Sequence, residues 1–178
     1  MRGMMQQMMG DRLPPGINPN LLPKPRSNGA RLLQQFCTQC HKLPGPGMHT
    51  AAGWPPVVAR MNRRMQMMSR MGMTMMGKIV APTEREVAVI IAYLEKYAQK
   101  PINPEKYPGL DSRAGRAFSL TCAQCHALPD PKQHTAREWP AVVERMKGHA
   151  AVMGKIVPGN NTTKEIVGFL ERHGRTEK

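Results

Sequence analysis

Apolar positions recur at the helical period in short runs, and the runs come in two sets. Val87, Ile90, Ile91 and Leu94 line one face of a segment opened by Thr83 and Glu86, three apart as in a capping box. Ile166, Val167, Phe169 and Leu170 repeat that face behind Thr162 and Glu165. Shorter helical stretches are expected over 31–36 and 116–121. A third pair begins at Trp54-Pro55 and Trp139-Pro140, where proline suits a first helical turn because its missing N–H needs no partner there. Thr135 and Glu138 have capping-box spacing just ahead of the second of these. No strand pattern is seen, so the expected fold class is all-α.

The two sets are copies. CTQCHKLPGPGMHTAAGWPPVVARM from Cys37 aligns without a gap on CAQCHALPDPKQHTAREWPAVVERM from Cys122, at one constant offset. MGKIV recurs at a smaller offset, at Met76 and Met153, and the last apolar stretch at an offset smaller again by one. The second copy is thus shortened by eight residues after its Arg-Met and by one more further along. The expected organisation is an extended Pro/Met-rich arm over 1–27, a first domain over 28–99, a proline-stiffened linker over 100–109 and a second domain over 110–178.

Composition narrows the class. With 4% aromatic residues, 17 prolines and 16 glycines, halves of roughly 70 to 75 residues bury little on their own, and a large bound cofactor would complete such a core. Lys and Arg number 26 against 12 Asp and Glu, a net charge of +14 spread from Arg2 to Lys178. A field of this sign draws acidic protein surfaces and anionic membrane surfaces. Nucleic acid is not expected, because no basic run interleaves with aromatic side chains. No run of apolar residues is long enough to offer a membrane span. The start, MRGMMQQMMG, has no apolar core followed by a small-residue cleavage site, so no export signal is visible in this numbering.

All four cysteines lie in two Cys-x-x-Cys-His motifs, Cys37, Cys40, His41 and Cys122, Cys125, His126. This is the attachment pattern of c-type haem. Two thiols three residues apart reach the two vinyl groups of one porphyrin, and the adjacent histidine turns toward the iron. Two haem c groups with their irons are the expected cofactors. A thioredoxin-like pair would need a βαβ setting, and one shared zinc site would have to close the long stretch of chain from Cys40 to Cys122. His49 and His134 fall eight residues after each motif histidine; a loop or propionate hydrogen bond is expected of them, with bis-His ligation as an alternative. Eight methionines lie between Met61 and Met76, expected as a docking or packing surface, with Cu(I) binding the alternative.

Both copies resemble small class I cytochrome c domains: a helix running into the motif, a proline-containing loop, and a last helix ending in Tyr93-Leu94 or Phe169-Leu170. The Trp-x6-Met segment resembles, more narrowly, the cytochrome subunits and domains that accompany sulfite dehydrogenases and quinohaemoprotein amine dehydrogenases. The resemblance implies two tandem cytochrome c-like domains and a distal methionine ligand for each iron, Met61 with His41 and Met146 with His126. Met76 and Met153, placed where other class I cytochromes keep their ligand, are the alternative pair. Met61 and Met146 stand equally far from Cys37 and Cys122, whereas Met153 stands eight positions nearer its motif than Met76 does. The implied function is electron transfer between a donor and an acceptor, outside the cytoplasm, in the periplasm or at a membrane, within a respiratory or photosynthetic chain. Acidic redox proteins or a membrane-bound electron-transfer complex are the expected partners. The rival is a di-haem peroxidase or another haem oxidoreductase, which would need an open sixth iron site beside a general acid or base. The chain is therefore expected not to be an enzyme.

Overall fold

A computed structural model describes residues 15–70 and 79–177. Among them are six α-helices joined by short 3-10 turns, with isolated bridges in place of any strand. The fold is all-α. The chain divides into two compact units, Met1–Gln99 and Lys100–Lys178.

In the first unit α1 is Asn28–Cys37, α2 Trp54–Arg70 and α3 Glu84–Lys96. The Ser27 hydroxyl accepts from the Ala30 N–H and starts α1 three residues ahead of the expected Arg31. Thr83 and Glu86 form a complete capping box at α3, each side chain taking the other's backbone N–H. Ala30, Leu33 and Phe36 of α1 pack on Ile90, Tyr93 and Leu94 of α3, with Trp54 of α2 in the same core. The helices approach closely at Gly29, where a Cβ would stand 2.5 Å from that of Tyr93. Tyr93 lies buried beneath this crossing, its hydroxyl donating to the Pro23 carbonyl at 2.7 Å.

The second unit repeats the plan with α4, Arg113–Cys122, α5, Trp139–Val152, and α6, Asn160–His173. Ser112 caps α4 as Ser27 caps α1. Phe118 stacks on Phe169 with centroids 5.4 Å apart, and Trp139, Val143, Ile166 and Leu170 complete a small core. One end differs from expectation. Gly159, in extended backbone, begins α6 at Asn160, so Thr162 falls inside the first turn and makes no cap. Glu165 pairs instead with Arg113 at 2.9 Å.

The proline-rich stretches ahead of each first helix are packed parts of their units. Ile17 donates its N–H to the Leu43 carbonyl at 3.0 Å, and Ile102 to that of Leu128 at 2.8 Å. Each is followed by a 3-10 turn, Pro19–Leu21 or Pro104–Lys106, capped by Asn18 or Asn103. Leu22 is 2% exposed and Tyr107 4%. The sequence Ile-Asn-Pro recurs here at the same offset as the cysteine motifs, so the described part of the 1–27 arm and much of the 100–109 stretch open the units that follow. The far ends match as well. Gln99 donates its N–H to the His49 carbonyl and Arg175 to that of His134, giving each unit one parallel bridge, Thr50 with Gln99 and Thr135 with Arg175.

Candidate functional site

Each motif begins where a helix ends: Cys37 is the last residue of α1 and Cys122 the last of α4. The first cysteine is thereby held rigidly, and the next three residues turn away from the helix. No disulfide joins any of the four cysteines. Burial pushes the Cys37 thiol up to about 11 and that of Cys122 to about 12, and burial raises Cys40 as well. Among the described residues no three His, Cys, Asp or Glu side chains converge as a metal ion would require. The thioredoxin and zinc alternatives find no support in this arrangement.

His41 places Nδ1 2.7 Å from the Lys42 carbonyl, and His126 places it 2.8 Å from that of Ala127. A carbonyl only accepts, so in each ring Nδ1 is the nitrogen that donates, the arrangement in which a histidine's other nitrogen faces a metal. Haem c fits this donor set. The first cysteine of each motif lies in apolar surroundings, and the histidine that follows turns its Nδ1 to the next carbonyl. In the second unit large apolar side chains stand exposed on the same segments: Leu120, two residues before Cys122, is 76% exposed, and Ile156, bonded to Gln124 of the motif, 78%. A porphyrin face is the kind of apolar surface that would cover such groups.

The other singled-out residues fall as follows. Met61 is half-buried on the α2 stripe that contains Trp54, and Met146 half-buried on the α5 stripe of Trp139. Met153 caps the C-terminus of α5 and is half-buried. Met76 lies outside the described residues. The indole N–H of Trp54 donates to the Pro46 carbonyl and that of Trp139 to the Pro131 carbonyl, each at 2.8 Å. His49 and His134 lie edge-on against these indoles, centroids 4.8 and 4.9 Å apart. The loop after each motif is thus pinned by its tryptophan.

Two features escaped sequence reasoning. The Met65 sulfur is 3.9 Å from the Gln39 amide nitrogen, and its side chain packs with Cys37 around the first core; one methionine among eight carried no mark of this. Gln39 and Gln124, just before the second motif cysteine, are hydrogen-bonded to Val80 and Ile156. Their recurrence in both motifs was the available sign. These pairs align Val80 with Ile156, whereas the MGKIV match sets Ile79 on Ile156. That match is one residue out of structural register, and all nine missing residues precede Ile156.

Residues 25–94 match the family described as cytochrome c oxidase, cbb3-type, subunit III. The matched span holds α1, α2, the first motif and all but the end of α3. It supports a c-type cytochrome, with covalently held haem c and iron serving electron transport. No curated protein and no solved structure matches the chain.

Proposed function

We propose that the chain is a di-haem electron carrier, with one haem c joined to Cys37 and Cys40 and ligated by His41, and a second joined to Cys122 and Cys125 and ligated by His126. The observation that carries the reading is the recurrence of one local geometry in both units: a helix ending on the first cysteine, a glutamine-pinned turn, and a histidine whose Nδ1 faces the next carbonyl. The family match covers the first of these. Haem c supplies one-electron exchange at iron. The chain's residues would anchor and orient the group: the helix ends fix the first thiol of each motif, and the Lys42 and Ala127 carbonyls engage the Nδ1 edge of the histidines.

Met61 and Met146 are our choice as distal ligands. Their helices are fixed at the N-terminal end by a buried tryptophan, and their spacing from the motif is the same in both copies. The site is proposed to lie outside the cytoplasm, where the chain exchanges electrons with acidic redox proteins or a membrane-bound complex. No helix among the described residues is long and apolar enough to cross a membrane. The carrier role is preferred to catalysis because a thioether on each iron closes the position a peroxidase would need open.

Mass spectrometry of the denatured protein is expected to give the polypeptide plus two haems, and haem that extracts into acid acetone would overturn the reading. The ferric protein should show the weak far-red band of an iron–thioether bond, lost in part in Met146→Ala and kept in Met153→Ala; the reverse would move ligation to the alternative pair. Rapid peroxide reduction would favour the catalytic rival.

A further inference from the structure

In each unit one glutamine of the motif has its whole side-chain amide engaged. Gln39 donates from Nε2 to the Val80 carbonyl and accepts at Oε1 from the Val80 N–H, both at 2.8 Å. Gln124 does the same with Ile156, at 3.0 and 2.9 Å. The same Nε2 also reaches back to the end of the preceding helix, to the Phe36 carbonyl at 3.3 Å and the Thr121 carbonyl at 3.0 Å. Two donors and one acceptor are thus used in both copies, across sequence separations of 41 and 32 residues. The paired bonds to one residue's N–H and C=O imitate a neighbouring strand. Only a primary amide offers both polarities at once: glutamate would lose the donors, leucine everything, and asparagine is a methylene shorter.

The glutamine stands between the two cysteines and two residues before the histidine. Its three backbone hydrogen bonds go to two residues, one at the end of the helix that carries the first cysteine and one in the segment entering the last helix of the unit. We infer that Gln39 and Gln124 are positioning residues, each locking the turn between the motif cysteines to these two elements and so fixing the orientation of the histidine that follows. The inference rests on the haem reading above for its functional half, and on the hydrogen bonds alone for its structural half. Without the amide the turn keeps its bonds to the preceding helix, such as Thr38 to the Gln34 carbonyl and Ala123 to that of Ser119, but loses its tie to the segment entering the last helix. The iron's environment in that unit then changes although every attachment residue is present.

The test uses the holoprotein with Gln124→Leu, Gln124→Glu and Gln39→Leu. In Gln124→Leu the Ile156 amide loses its acceptor and should exchange with solvent about tenfold faster or more. Haem content should be unchanged, while the midpoint potential and the ligand-field spectrum of one haem shift and those of the other stay. Gln124→Glu retains an acceptor for the Ile156 N–H, so its exchange should rise less while its potential still moves. Gln39→Leu should transfer both effects to the first unit and to Val80, which keeps the test open if a Gln124 variant fails to fold. Unchanged amide exchange would overturn the clamp. Faster exchange with both potentials and spectra unmoved would leave only a brace and overturn the positioning role. A parent protein lacking covalent haem would sink the carrier reading instead, and the exchange measurement would still judge the clamp.

Discussion

Lys24 holds its backbone at φ 45°, in the left-handed region, and Gly109, its counterpart in the second copy, occupies the same place at φ 85°. A residue with a Cβ is destabilised there by roughly 1–2 kcal/mol, while glycine escapes at the cost of greater freedom in the unfolded chain. Lys24→Gly should therefore stabilise the first unit by about 0.5–1 kcal/mol, and Gly109→Lys should weaken the second at least as much, both visible in thermal unfolding. His134 gives a second prediction. Burial holds its pKa below the ordinary value of about 6.5, outweighing the opposing pull of Glu138 3.7 Å away. The folded unit favours the neutral ring. Its contribution to stability is whole above the unfolded value and is lost as pH falls through that value toward the lowered one. Burial shifts His149 and His173 the same way. The second unit should melt progressively earlier as pH is lowered from about 7.5 to about 5, and a flat profile across that range would contradict the assignment.

Among the elements, the two last helices differ in how they start. Thr83→Ala removes a complete capping box and should destabilise the first unit by about 1 kcal/mol, whereas Thr162→Ala, at a position that caps nothing, should cost no more than about 0.5 kcal/mol; denaturant unfolding of both variants checks the contrast. The last helix of each unit was legible because it buries one stripe, as Ile90, Tyr93 and Leu94 show in α3 and Ile166, Phe169 and Leu170 in α6; the middle helices were marked by their Trp-Pro starts. The motifs were legible because their residues are contiguous in sequence. Less visible were the packed segments around Ile17 and Ile102: prolines erase any helical period, and what marks these residues as structured is a backbone hydrogen bond to a distant carbonyl. Gln39 and Gln124 were hidden for a related reason. A polar side chain with its partner 41 or 32 residues away leaves no local pattern. The missing cap at Thr162 depended on where Gly159 turned extended, a choice made by backbone geometry that the Thr-x-x-Glu spacing could not reveal.

At the scale of the whole molecule, the net charge of +14 dominates encounters. Electron exchange with an acidic partner should slow as salt rises, since exposed charges are screened beyond roughly 8 Å at physiological ionic strength. Stopped-flow rates independent of salt would mean that apolar contacts govern docking instead. The glutamine pairs also say something about chain length. Each closes a ring of polymer, of 41 residues in one unit and 32 in the other. Closure entropy grows only with the logarithm of ring size, so the longer ring is less favourable by about 0.2 kcal/mol. At that scale the additional nine residues neither help nor hinder closure, and a first unit trimmed to the shorter ring should knit together as readily as the second already does.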